Sequence, residues 1–136
     1  MADPVREYLN EKGCAAQIVE RGLQGLVENW EQIVQSVENG YSLGLDDYLN
    51  DMDVRQLIEE SLSVATAAQR DAISDRVERA DEQMRSLVER AEGCLWGEEV
   101  AEEEGWTARN NWWYFTRPLS ADPELLSEID DATSGD

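Results

Sequence analysis

The stretch ISDRVERADEQMRSLVERAEGC, residues 73–94, decides the fold class. Its apolar side chains are Ile73, Val77, Ala80, Met84, Leu87, Ala91 and Cys94, at alternating spacings of four and three. An α-helix turns once every 3.6 residues, so this spacing lines one face of a helix and makes a heptad seam. The helical pattern extends over residues 64–92, and Gly93 supplies a stop signal. Asp75 precedes Arg79 by four residues and Asp81 precedes Arg85 by four, the favoured orientation for supporting ion pairs. A seam of this kind has two uses. It buries against other helices of the same chain, or it joins two copies as a homodimer through Ile73, Val77, Ala80, Met84 and Leu87.

Working outward, the remaining segments read mostly as helices. Asp3-Pro4 opens one, because aspartate accepts hydrogen bonds from free amides and proline suits the first helical position. The helical pattern then runs to Glu38, with Asn39-Gly40 as its stop, and Lys12-Gly13 predicts a break into a short first helix and a longer second one. Tyr8, Ala15, Val19, Leu23, Leu26, Trp30, Ile33 and Val37 share its apolar face. Gly22 lies on that face and predicts close approach of another helix. Residues 41–45 form a connector and residues 46–52 a short helix. Asp53 reads as a fresh N-cap with Gln56 in the capping-box position, so a bend falls near residues 51–53. Residues 98–104, with five glutamates and no base, read as an exposed short helix or loop ended by Gly105. Asp122-Pro123 repeats the opening device for a last helix over residues 124–129. The expected organisation is an all-α single domain over residues 1–129, a small bundle of three main helices plus short ones, followed by a flexible acidic tail over residues 130–136.

One segment departs from this pattern. Of the ten aromatic residues, six fall between positions 96 and 115, and Trp112, Trp113, Tyr114 and Phe115 are consecutive. The helical period is lost there, which predicts an extended strap or a small hairpin between residues 106–108 and 112–114, with Pro118 ending regular pairing. Extended chain alternates its side chains between two faces. Trp113 and Phe115 are then expected in the core, and Trp112 and Tyr114 at the surface. Tryptophan and tyrosine are enriched at protein interfaces. With Arg109 and Arg117 flanking them, Trp112 and Tyr114 form the expected partner-binding patch.

Composition bounds the function. The chain of 136 residues carries 31 acidic and 11 basic side chains, a net charge of -20, and only one of the bases, Lys12, is lysine. Such a charge repels nucleic acid and anionic membrane surfaces and attracts a basic protein. The chain has no apolar run of membrane-spanning length, and its N-terminal residues lack a signal-peptide pattern, so a cytoplasmic location is expected. Cys14 and Cys94 are expected to be reduced.

No histidine is present, which removes the usual serine–histidine and cysteine–histidine pairs and histidine-bearing zinc sites. Phosphate-binding glycine loops are absent as well. Asp51 and Asp53 begin a calcium-loop pattern that fails at Gln56 and Leu62, and helix capping explains both acids. Glu78-x-x-Asp81 matches one half of the acidic pattern of all-α magnesium-dependent nucleotide pyrophosphohydrolases. The other half is broken, since Glu59-Glu60 is followed by Ser63 where a glutamate belongs. The expectation is therefore a small interaction protein with no cofactor that binds a basic partner, for example an immunity-like or antitoxin-like neutraliser. The alternatives are a metal-dependent nucleotide hydrolase using Glu59, Glu60, Glu78 and Asp81, and the structural homodimer.

Overall fold

Asp3 opens the first helix as its side chain requires, accepting from the amides of Val5 and Arg6 at 3.0 and 3.1 Å. The computed structural model describes residues 3–134. Helix α1 is Pro4–Lys12 and ends at Gly13, whose φ of 87° lies in the left-handed region that glycine adopts without strain. Helix α2 is Ala16–Glu38, so the break expected at Lys12-Gly13 is present. Gly22 bends α2 with φ 63° and ψ -152°. Its buried side faces the Arg6 side chain of α1, which would stand 3.4 Å from an added Cβ. The close approach predicted at Gly22 thus involves a side chain of α1 at a bend of α2.

Helix α3 is Leu45–Val64, one continuous helix. The bend expected near residues 51–53 does not occur, because Asp51 and Asp53 are not caps. Asp51 accepts the Tyr41 hydroxyl at 2.5 Å, and Asp53 accepts the Tyr114 hydroxyl at 2.6 Å and the Trp96 indole N–H at 3.2 Å. A capping box absent from the sequence reading starts α4, Ala67–Leu87: the Gln69 amide donates to the Thr66 hydroxyl, and the Gln69 side chain accepts from the Thr66 amide.

The seam of α4 is consumed inside the chain. Ile73, Val77, Ala80 and Met84 are buried against the bundle, mainly on α2, and Leu87 packs at its margin. A homodimer through these residues would require the bundle to open, so the seam is an internal bundle face and not the expected dimer contact. The helix also stops five residues earlier than the pattern predicts. Val88–Arg90 forms a strand, β1, antiparallel to β2, Thr116–Pro118. Ala91 and Cys94 remain buried, but on irregular chain held by the Ala91 amide to the Phe115 carbonyl (2.9 Å) and the Leu95 amide to the Tyr114 carbonyl (2.7 Å). Gly93 does not cap a helix. An added Cβ there would lie 2.8 Å from the Thr133 carbonyl oxygen, so glycine permits the end of the last helix to approach.

Helix α5, Glu98–Glu104, presents all five of its glutamates to solvent. Helix α6, Pro123–Thr133, begins at the Asp122 cap as expected but runs past Ile129. Ile129 and Thr133 are four residues apart and both buried, which holds residues 130–133 in the helix rather than in the expected tail; residues 135 and 136 lie outside the described residues. The result is an all-α bundle of α1 to α4 with one small two-stranded ribbon and an aromatic cap at its end. Among the described residues no helix is long and apolar enough to cross a membrane.

A buried cluster ties the bundle to the cap. Arg55 of α3 is 6% exposed and grips Asp81 of α4 through three hydrogen bonds, Nε to Oδ1 at 3.0 Å, Nε to Oδ2 at 3.3 Å and Nη2 to Oδ2 at 2.9 Å. The same carboxylate accepts the Trp30 indole N–H of α2 at 3.0 Å. The Arg55 guanidinium lies 4.4 Å over the ring of Trp113 in the cap. This replaces the expected Asp81–Arg85 pair and frees Arg85 for another contact.

The carboxylates on α3 also set a pH dependence. Burial pushes the carboxyls of Asp51 and Asp53 above the usual aspartate range, against the lowering effect of the hydroxyls they accept. A carboxyl with a raised folded-state pKa favours folding at low pH and loses that contribution as pH rises through the folded value. Burial of Glu60 acts in the same direction but is outweighed by hydrogen bonds from Lys12, Tyr8 and Gln56, so Glu60 titrates below its usual range. Its contribution is present above the ordinary glutamate pKa and lost as pH falls through the lowered value. The thermal midpoint is therefore expected to rise as pH falls from neutral toward the ordinary carboxylate range, and to drop at lower pH as Glu60 takes up its proton. Scanning calorimetry across that range checks it. A midpoint that falls steadily from pH 7 contradicts it, and Asp53→Asn should flatten the rise.

Candidate partner-binding surface around Trp112

The consecutive aromatics form neither a strand nor a hairpin. Trp112–Phe115 is a single 3₁₀ turn, followed directly by β2. A 3₁₀ helix has three residues per turn, so residues i and i+3 share a face. Trp112 and Phe115 consequently stand together on the outer side, half-buried, while Trp113 and Tyr114 turn inward and are each 1% exposed. The core position expected for Trp113 is found. Tyr114 and Phe115 exchange their expected roles, because the backbone period is three rather than two.

Tyr114 stacks on Trp106 at 4.1 Å with the rings 22° apart, and its hydroxyl ends on Asp53. Burial and that carboxylate push its phenol pKa far up. Tyr114 is a fastener between cap and α3 and offers nothing to a partner. Arg117 is also committed, to Asp130 at 2.7 Å and Glu89 at 3.0 Å, bracing β2 against α6 and β1.

Trp112 and Arg109 remain, and other residues join them. The Arg85 guanidinium of α4 lies 4.6 Å over the Trp112 ring. Trp112 meets Trp113 edge-on at 5.7 Å, which fixes its orientation from below. Together with Val88, Arg90 and Phe115 these residues line a cleft of about 510 Å³ between the end of α4, the ribbon and the aromatic turn. Arg85, Arg90 and Arg109 are exposed. Sequence reasoning missed Arg85 and Arg90. Their place in the cleft depends on α4 ending at Leu87 and on Asp81 being taken by Arg55.

The four carboxylates considered for magnesium are not brought together. Glu59 and Asp81 both bind Arg55, Glu60 binds Lys12 at 2.5 Å and the Tyr8 hydroxyl, and Glu78 is exposed. Among the described residues no three carboxylate, cysteine or histidine side chains are grouped as ligands for a metal ion. Cys14 and Cys94 are both free, and burial pushes the Cys94 thiol above its usual range.

Compared with known proteins, the chain matches no family model, no curated protein and no solved structure. The geometry around Trp112 is therefore the basis for a functional reading.

Proposed function

We propose that this protein is an interaction module that binds a partner protein of net positive charge, with the Trp112 cleft as the centre of contact. The observation that carries the reading is the outer face of the aromatic turn. A tryptophan and a phenylalanine stand side by side there, with an arginine stacked on the tryptophan and two more arginines at the rim. Tryptophan and arginine are the residue types that dominate binding energy at protein interfaces, and a pre-oriented ring loses little entropy on binding. Outside the cleft the surface is acidic, most densely on α5. Long-range attraction then selects a basic partner, while the cleft provides the short-range contact. A neutraliser of a basic protein, in the manner of an immunity protein or antitoxin, is one concrete form.

The test is affinity capture at low salt from the cognate lysate, followed by binding kinetics with the purified partner. The association rate should fall by roughly tenfold or more between 50 and 500 mM salt, as steered association does. A partner that associates at the same rate at both salt concentrations, or capture of acidic proteins alone, counts against the reading.

A further inference from the structure

Five of the basic side chains make no ion pair among the described residues: Arg70, Arg79, Arg85, Arg90 and Arg109. Arg70 donates to the Leu62 carbonyl at 2.8 Å and Arg79 to the Asp75 carbonyl at 3.3 Å. The other three all line the Trp112 cleft. In a chain of net charge -20, unpaired arginines gathered at one place form a local positive spot within an acidic surface. The one carboxylate at the cleft, Glu89, is held by Arg117. The Arg85 guanidinium lies 4.6 Å over the Trp112 ring on an exposed side chain that makes no ion pair, which leaves its N–H groups available to an acceptor.

A second observation comes from the ribbon. The Ala91 amide donates to the Phe115 carbonyl, and the Leu119 amide donates to the Leu87 carbonyl. In an antiparallel pair, alternate residues face the partner strand. With Val88 opposite Pro118 and Arg90 opposite Thr116, positions 87, 89 and 91 face β2, and the backbone N–H and C=O groups of Val88 and Arg90 face away from it. The Val88 N–H closes the last turn of α4, whereas the Val88 carbonyl and the Arg90 N–H and carbonyl find no backbone partner among the described residues. β1 therefore has no strand on its other side, and its residues Val88 and Arg90 line the same cleft.

We infer that the Trp112 cleft takes an acidic, extended peptide segment of the partner protein, added as a third strand on β1. The Val88 carbonyl and the Arg90 N–H and carbonyl supply main-chain hydrogen bonds, and an apolar side chain of the peptide covers Trp112 and Phe115. Arg85, Arg90 and Arg109 hold its carboxylates. Strand addition to an open edge gives affinity through the backbone, and flanking side chains give specificity. A polyanion such as nucleic acid meets the repulsion of the whole molecule, whereas a short peptide with few carboxylates responds mainly to the local field. The inference rests on the cleft being the contact surface. It adds the chemistry of the anchor: a basic partner presents an acidic strand.

The experiment is an NMR titration of the nitrogen-labelled protein with three probes: the acetylated peptide Asp-Glu-Phe-Glu-Asp, its counterpart Lys-Lys-Phe-Lys-Lys, and inorganic phosphate. The acidic peptide is expected to shift the arginine Nε–H signals of Arg85 and Arg109 and the indole N–H of Trp112. It should slow amide exchange at Arg90 by about tenfold. The double variant Arg85→Glu, Arg109→Glu should weaken it by at least about tenfold while leaving the remaining amide spectrum in place. Equal shifts from the lysine peptide, shifts from phosphate without slower exchange at Arg90, or no shift at the cleft overturn the inference. If a captured partner needs Trp112 but the acidic peptide does not bind, the anchor chemistry is wrong and the contact surface stands. If the peptide binds the cleft and the partner is indifferent to Trp112, the anchor chemistry stands and the contact surface is wrong.

Discussion

Replacing Arg55 by alanine is expected to destabilise the fold by about 3–5 kcal/mol, the range found when one member of a buried ion pair is removed. The side chain is 7% exposed and its Asp81 partner 15% exposed, so the carboxylate left behind is largely shielded from water. Without Arg55, Asp81 keeps only the Trp30 N–H as a partner within the chain, and Trp113 loses the guanidinium stacked on it. Total stabilities of domains this size are about 5–15 kcal/mol, so the variant stands near the edge of folding. Arg55→Lys should recover only part of the loss, because an ammonium can neither make the paired contact nor stack flat. The double variant Arg55→Met, Asp81→Leu should recover more than Arg55→Lys, since no charge is left buried. Urea unfolding of the four proteins checks the order. A cost below about 1 kcal/mol for Arg55→Ala would mean that the pair behaves like an exposed one and that the cluster does not tie cap to bundle.

Trp113→Ala is expected to cost about 3–5 kcal/mol, as for other large core side chains reduced to alanine. Its ring is 1% exposed and is enclosed by Arg55, Trp112 and Tyr114. Its indole nitrogen is buried without a hydrogen-bond partner in the chain. An unpaired buried donor is itself unfavourable by about 1–3 kcal/mol, so Trp113→Phe removes a penalty along with part of the packing. The phenylalanine variant should therefore lie much closer to the parent than to the alanine variant in thermal unfolding. If phenylalanine and alanine are equally damaging, the indole N–H has a partner and the account of this side chain is wrong. Loss of Trp113 should also release Trp112, which leans on it, and so weaken the cleft at a distance.

Helix starts and stops were the most legible part of the fold. Asp3-Pro4, Gly13 and Asp122-Pro123 act through local chemistry that needs no tertiary partner, and each is found where the sequence places it. The seam from Ile73 to Met84 was equally legible as a buried face, although its period does not say whether the covering surface belongs to this chain or to another copy. Asp53 was misread for a physical reason. An aspartate before an apolar run has the composition of an N-cap, and only the distant Tyr114 hydroxyl and Trp96 indole make it an internal acceptor on a continuous helix. The end of α4 was hidden in the same way. Val88, Glu89 and Arg90 continue the heptad, but β2 offers them backbone pairing, and Arg117 secures it through Glu89.

The candidate site was half legible. Crowding of aromatics located it, and its residue types are the reason a protein partner is proposed for it. Which of the four rings face outward depends on the backbone period, and four residues are too few to distinguish a period of two from one of three. The two arginines that were missed, Arg85 and Arg90, come from α4 and β1, more than twenty residues before Trp112, and no local pattern links them to it.

The most direct measurement of the central claim is the dissociation constant of the captured partner for the parent protein and for Trp112→Ala at one fixed salt concentration. Trp112 is half-buried at the outer face, and circular dichroism should show the variant folded. Affinity is predicted to fall by about 30-fold or more, the loss of about 2 kcal/mol typical of a tryptophan at the centre of an interface. An unchanged dissociation constant in a folded Trp112→Ala protein would contradict the claim that the cleft is where this protein meets its partner.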